Sequence, residues 1–338
     1  MSLRFVLALL VAVVLAPATS AQQQPSPHAI EIPRWFTPSL LDIKDEIAEA
    51  ARQGKRVMVY FGQDGCPYCK ALMQANFAPG PIADKTKQRF VAIAINIWGD
   101  AQASWLDGVP TTEKALARKL GVQFTPTLMF FDTDGRLALR LNGYLPPERF
   151  TRVLDYVIER RDRELSLAEY LAAQSNEPAL APRAPRPYLM RAPTQLARRG
   201  AAARPLAVLF ESPGCRACAQ LHDEAFARPS ARRLLARFDV ASLGPGAPAP
   251  LTTPDGRRTD TRAWARDLKI DLYPTLVFFD ATGREVFRFD GELRPFHVES
   301  ALDYVASGAW RGEPQFQRYV QARAERLRAA GQTVDLWR

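Results

Sequence analysis

All four cysteines of this 338-residue chain fall in two Cys-x-x-Cys motifs, and each motif sits at the same place in a long internal repeat. In the first half an apolar run, Val57 to Phe61, leads into Gly65-Cys66-Pro67-Tyr68-Cys69, with Phe124-Thr125-Pro126-Thr127-Leu128 further on. In the second half, Leu206 to Phe210 leads into Gly214-Cys215-Arg216-Ala217-Cys218, with Leu272-Tyr273-Pro274-Thr275-Leu276 further on. Cys66 and Cys215 are 149 residues apart and Pro126 and Pro274 are 148 apart, so a single indel separates these landmarks. The 148 offset then holds from Asp107-Gly108/Asp255-Gly256 to Leu154-Asp155-Tyr156-Val157/Leu302-Asp303-Tyr304-Val305. Solenoid units repeat every 20–50 residues or so, which makes this the duplication of a whole domain. The chain length also suits two domains.

Periodicity predicts the same elements in each copy, most legibly in the first. Ser39 caps a helical pattern through Leu41, Ile43, Ile47 and Ala51 that Gly54 ends. Arg56–Phe61 reads as a buried strand, Pro67–Asn76 as a helix and Phe90–Ile97 as a second strand. Thr112 caps a helix ending near Gly121. Thr127–Phe131 and Arg136–Asn142 flank the turn signal Asp132-Thr133-Asp134-Gly135, and Glu148–Arg160 closes the domain as an amphipathic helix. Strands joined by helices and followed by a hairpin make an α/β fold: two tandem domains, each a mixed β-sheet flanked by helices. One more helix follows each copy, with Leu167, Tyr170 and Leu171 in the first and Phe316, Tyr319, Val320 and Leu327 in the second. Their helical spacing points to packing or domain docking rather than to a membrane surface.

The expected boundaries are a signal peptide at 1–21, a first domain with trailing helix at 22–174, a linker at 175–205, a second domain at 206–310 and a C-terminal helix at 311–338. Arg4, the apolar run Phe5–Ala16 and the small residues Thr19-Ser20-Ala21 have the layout of a cleaved secretory signal. The run is shorter than the ~20 residues a membrane span needs, so no transmembrane segment is expected in the mature chain. The Pro-, Ala- and Arg-rich linker carries six arginines against Glu177, a net +5 of the chain's +9. Without base-stacking aromatics beside them these arginines read as a solvated spacer, and no nucleic-acid partner is expected.

A Cys-x-x-Cys pair opening a helix suits thiol–disulfide exchange. The first sulfur lies among unpaired backbone N–H groups at the positive end of the helix dipole, which favours the thiolate. The second follows within bonding reach and resolves the mixed disulfide. Cys66 and Cys215 are therefore the candidate nucleophiles, and Cys69 and Cys218 the resolving thiols. A zinc ribbon would place its two pairs 15–20 residues apart, and haem attachment would need histidine where Lys70 and Ala219 stand. No cofactor or metal is expected beyond the redox-active disulfides. A purely structural bridge is the rival, weakened because a domain of about 125 residues buries a core without staples.

Each half resembles a thioredoxin-fold domain over nearly its whole length. The resemblance implies cis-prolines at Pro126 and Pro274, with Thr125 and Tyr273 beside them contributing backbone that pairs with the substrate chain. The first half is similar to exported thioredoxins of the sulfur-oxidation system (SoxW-like) at Gly65–Cys69, Ile97-Trp98-Gly99-Asp100, Phe124–Thr127 and Leu141-Asn142-Gly143-Tyr144. Thioredoxins carry a buried acid six residues before the first cysteine; Tyr60 and Leu209 stand there in this chain. Pro67 and Tyr68 resemble the glutaredoxin pair and would tune the first motif. Arg216 would tune the second by stabilising the Cys215 thiolate, or is an ordinary exposed arginine at a helix start. Tyr273 is expected to crowd the substrate groove, leaving the second copy a relay or docking module. His28, His222 and His297 show no ligand spacing and are expected at the surface.

The function these readings imply is a periplasmic thiol–disulfide oxidoreductase that reduces disulfides of partner proteins through Cys66 and Cys69. A membrane thiol reductant would recharge it. The rivals are a disulfide oxidase or isomerase for protein folding, and a non-catalytic binding module.

Overall fold

The computed structural model describes residues 29–174, 186–191, 195–197, 203–334 and 336. The signal segment, His28 and most of the linker lie outside them. The first domain runs α1 (Ile43–Arg52), β1 (Arg56–Gly62), α2 (Pro67–Ala71) with a π-helical turn at Leu72–Asn76, and α3 (Pro81–Arg89). There follow β2 (Phe90–Asn96), a small hairpin of β3 (Gln102–Ser104) and β4 (Pro110–Thr112), and α4 (Glu113–Lys119). It ends with β5 (Thr127–Phe131), β6 (Leu137–Asn142), α5 (Pro147–Ile158) and α6 (Leu167–Ala173). The second domain repeats the plan with β7 (Leu206–Phe210), α7 (Arg216–Gln220), a π-helical turn at Leu221–Ala225, α8 (Pro229–Leu235) and β8 (Asp239–Leu243). The hairpin β9 (Pro250–Thr252) and β10 (Arg258–Asp260) leads to α9 (Thr261–Asp267), β11 (Thr275–Phe279), β12 (Glu285–Asp290), α10 (Pro295–Ala306) and α11 (Phe316–Ala329).

The four-stranded sheets are ordered β2-β1-β5-β6 and β8-β7-β11-β12. In each, the central strand pairs parallel on one side and antiparallel on the other, as expected of a mixed sheet. Because side chains alternate across a strand, β1 feeds two cores. Val57, Val59 and Phe61 pack with Ile43, Ile47 and Leu116, while Met58 and Tyr60 pack with Leu72, Phe77 and Phe150.

Three local readings differ from the structure. Asp42, not Ser39, caps α1 by accepting from the Asp45 N–H, while Ser39 Oγ accepts from Leu41 N–H in the preceding turn. α3 is not legible in the sequence because it buries only Ala83 and Thr86 and so shows no apolar stripe. The β3/β4 hairpin, with three residues a side, is too short to show alternation.

The end of the presumed linker belongs structurally to the second domain. Met190 N–H donates to Val240 O as Thr37 N–H donates to Ala92 O, and positions 92 and 240 are repeat equivalents. Gln195 bridges Thr252 as Asp42 bridges Ser104, again 148 residues apart, and Leu196 is fully buried. The duplicated unit therefore starts before the first sequence landmark of the second copy. A diverged edge segment that contributes two bridges and one core residue leaves little trace in composition.

The two copies face each other about an approximate twofold relation. The equivalent residues Asn142 and Asp290 meet directly, Asn142 Nδ2 donating to Asp290 Oδ2 at 2.7 Å. At another equivalent pair, Gln123 donates to Pro314 O across the interface, while Asp271 accepts from Leu167 N–H. Each trailing helix packs on its own domain, Tyr170 on Tyr156 and Tyr319 on Tyr304, and reaches across the interface as well. α11 lays Phe316 on Phe124 of the first domain and Arg318 over Trp98, while Glu169 of α6 lies in the field of Arg262 and Arg266. One apolar cluster runs through both domains. The apolar positions of both helices serve packing, as expected: Tyr170 and Tyr319 within their own domains and Phe316 across the interface as well.

Asp271 sits inside this interface, and burial together with the Asp290 carboxylate pushes its pKa up to about 7 from 3.8. Between those values the folded chain holds a proton that the unfolded chain has released, so stability falls as pH rises from about 4 to 7. Asp271→Asn keeps an oxygen for Leu167 N–H and removes that loss. It should raise unfolding stability at pH 8 by about 1–2 kcal/mol and leave it nearly unchanged at pH 4, as read by denaturant titration.

Candidate active sites

Both Cys-x-x-Cys motifs are built the same way. A buried strand delivers the chain to a turn whose glycine, Gly65 or Gly214, has φ near +74° or +80°, a region that costs other residues energy. The next residue, Cys66 or Cys215, caps the following helix, and its Sγ accepts from the N–H of Cys69 or Cys218 at 3.1 Å. Each pair forms a disulfide. When the disulfide opens, that same N–H and the first turn of the helix are in place to stabilise a thiolate. The Thr125–Pro126 and Tyr273–Pro274 peptide bonds are both cis, and both prolines are buried.

The surroundings of the two pairs differ sharply. Around the first, Thr125 is fully buried and its hydroxyl donates to Cys66 Sγ at 3.4 Å. Tyr68 turns toward the second domain, where its hydroxyl accepts from Arg294 N–H at 2.9 Å. Its ring meets His297 edge to face, with centroids 5.1 Å apart. Burial holds His297 neutral, its pKa pulled down to about 4, and pushes that of Tyr68 up to about 12. Cys66 is 3% exposed and Cys69 not at all. The first pair is covered by the second copy of its own domain.

The second pair is more open. Cys215 is half-buried, Cys218 is buried and Arg216 is exposed. Tyr273 is half-buried against the cluster around Leu196 and Trp264, so it does not reproduce the contact that Thr125 makes with its cysteine. In the reduced chain at neutral pH, Cys215 should be alkylated at least about tenfold faster than Cys66. Peptide mapping after a timed pulse of labelled iodoacetamide measures this, and equal rates would contradict the covering described above.

Two of the histidines expected at the surface are instead buried, His222 at 2% and His297 at 4% exposure. The error is one of tertiary context. Both lie on helix faces that the domain interface or the 186–191 segment covers, and no local pattern announces that. Asp64 and Lys70 are exposed, with Asp64 accepting from Ile30 N–H. Among the described residues no group of three or more His, Cys, Asp or Glu side chains could hold a metal ion. No helix among them is long and apolar enough to cross a membrane.

The thioredoxin-like domain family matches the chain twice, over residues 43–158 and 193–306, which together span about two thirds of it. The chain belongs to the thioredoxin-like domain family. The second match takes in Gln195, which bridges Thr252 ahead of the first strand of the second sheet. A search of curated proteins finds no match. Among solved structures, a thioredoxin-fold protein from Helicobacter pylori is 23% identical, covering 41% of this chain and 86% of its own, with a TM-score of 0.33. A thioredoxin from Thermus thermophilus is 28% identical over 35% of this chain and 84% of its own, with a TM-score of 0.28. The C-terminal domain of Neisseria meningitidis DsbD, in its reduced form, is 17% identical over 33% and 90%, with a TM-score of 0.26.

Proposed function

We propose that this tandem thioredoxin-like protein is an exported thiol–disulfide oxidoreductase that reduces disulfides of partner proteins. The observation that carries the reading is the construction of both pairs, each with its first sulfur at a helix start, held by a backbone N–H and set in a domain with a buried cis-proline. Exposure favours Cys215 and Cys218 as the pair a partner meets first, with Cys66 and Cys69 as a protected second couple. This reverses the order expected when the second copy was read as relay or docking module. Export to the periplasm is supported by the layout of residues 1–21, and recharging by a membrane thiol reductant is what the resemblance to exported thioredoxins implies. The short motifs shared with SoxW-like thioredoxins support sulfur-carrier proteins or apocytochrome cysteines as substrates.

The mature protein should catalyse reduction of a test protein disulfide by dithiothreitol, and Cys218→Ala should trap mixed disulfides with its partners. Absence of both would leave a binding module with two structural bridges. The reduction potential separates reductase from oxidase: a value near −120 mV, the range of strong oxidants, would favour the oxidase rival. One observation favours a structural role for the first pair alone, namely the burial of Cys66 beneath the second domain.

A further inference from the structure

Cys218 is 1% exposed, and a buried thiol resists ionisation. To resolve a mixed disulfide on Cys215 it must give up its proton as it attacks, so a nearby acceptor would speed that step. Leu209, six residues before Cys215, cannot take a proton. Two residues further along, Glu211 falls on the same side of the strand line as Leu209, because side chains alternate. That is the side on which Leu209 packs with Leu221 and Ala225, the helical turn that continues α7.

Ser242 and His222 both bond the Glu211 carboxylate, and Tyr188 stands behind His222. Ser242, opposite Leu209 in the β7–β8 register, donates its hydroxyl to Glu211 Oε1 at 2.6 Å. His222 Nε2 lies 2.7 Å from Glu211 Oε2, and Tyr188 Oη lies 2.6 Å from His222 Nδ1. A carboxylate only accepts, so Nε2 carries the hydrogen, and Nδ1 pairs with the Tyr188 hydroxyl. Burial raises the Tyr188 pKa to about 12, which keeps that phenol a donor. His222 follows Cys218 by four positions, a spacing that puts Cβ atoms about 5–6 Å apart on one helix face. Its bond to Glu211 ties the carboxylate to the helical segment that carries Cys218, one turn beyond that thiol.

The first copy has no such group. Gly62 occupies the position equivalent to Glu211, and a side chain there would collide with the Tyr60 hydroxyl, which fills the space. That hydroxyl is buried and has no hydrogen-bond partner, and burial raises its pKa far above neutrality. The equivalent of His222 is Met73.

We propose that Glu211 is the proton acceptor for Cys218 during resolution, directly or through one water, with His222 and Ser242 as its positioning residues. The inference rests on the oxidoreductase reading above. In the step, Cys218 Sγ attacks Cys215 Sγ, the Cys215–Cys218 bond forms and the Cys215–partner bond breaks. The partner leaves as thiolate and the Cys218 proton passes to Glu211.

The test loads Cys215 of the reduced full-length mature chain, carrying Cys66→Ser and Cys69→Ser, with thionitrobenzoate and follows its release by absorbance from pH 5.5 to 9.5. Glu211→Gln should slow release about tenfold or more at pH 6–7 and converge on the parent rate near pH 9.5, where the thiol ionises unaided. Ser242→Ala should give a smaller shift in the same direction, which keeps the test open if Glu211→Gln fails to fold. Glu211→Asp should recover part of the rate. The alkylation rate of Cys215 should be unchanged in all three. Release with an unshifted pH profile in both Glu211→Gln and Ser242→Ala overturns the proposal alone, as does a deficit that persists undiminished at pH 9.5. A parent protein that releases no thionitrobenzoate at any pH overturns the oxidoreductase reading with it.

Discussion

Cys215→Ser is expected to lower turnover of a protein disulfide by about a hundredfold or more, since loss of a covalent nucleophile removes the reaction path itself. Cys66→Ser is expected to leave most of that turnover intact. The argument is steric and electrostatic together. Both sulfurs sit at a helix start and accept from the same backbone donor, and the Thr125 hydroxyl adds a further donor to Cys66, so hydrogen bonding does not favour Cys215. Access does: Cys66 is covered by Thr125 and by the Tyr68 contact with Arg294 and His297, whereas Cys215 is half-buried. A partner's disulfide must approach in line with the attacking sulfur, and the cover over Cys66 blocks that approach until the domains separate. Steady-state rates of the two single variants, compared at equal protein concentration, decide the matter. Equal losses would mean that the interface opens faster than turnover and that both pairs work in series.

Phe316→Ala is expected to cost about 3–5 kcal/mol of unfolding stability, the range for removing a buried aromatic ring. Phe316 is fully buried at the start of α11, with its ring 4.5 Å from that of Phe287, 5.4 Å from Tyr304 and 6.4 Å from Phe124. Two of those rings belong to the second domain and one to the first, so the cavity would open where the domains join. The variant should therefore loosen the cover over the first pair as well, and Cys66 alkylation should accelerate while Cys215 alkylation does not. Denaturant unfolding followed by tryptophan fluorescence gives the first quantity, and timed labelling gives the second. A variant as stable as the parent would show that α11 contributes little to the joint.

Much of this architecture is legible in the residues. Strand β1 announces itself as an apolar run, Thr112 does cap α4, accepting from Ala115 N–H, and the Asp132–Gly135 turn separates β5 from β6 as its composition predicts. Both cis-prolines fall where the resemblance places them. What the sequence hides is how the copies meet. Tyr68 reads as part of a redox motif, and nothing local says that its hydroxyl will find the backbone of Arg294, 226 positions away. His222 and His297 look like surface residues because their burial is supplied by distant segments, Tyr188 for one and the first domain for the other. Glu211 carries no local signal as a site residue, since the resemblance points to position 209, two residues earlier. The signal that would find it is the alternation of side chains along β7, followed one residue past the strand.

The reach of α11 from its own domain onto Phe124 and Trp98 of the other ties the fates of the two copies together. A helix that serves its own half and the opposite one at once means that a substitution in one copy is weighed by natural selection partly through its effect on the other. Divergence after duplication is then free at the cysteine environments and constrained along the seam, where Asn142 still meets Asp290, its own counterpart. Such a chain has the logic of a homodimer fused end to end: the symmetry persists at the joint while the two reactive ends are released to specialise.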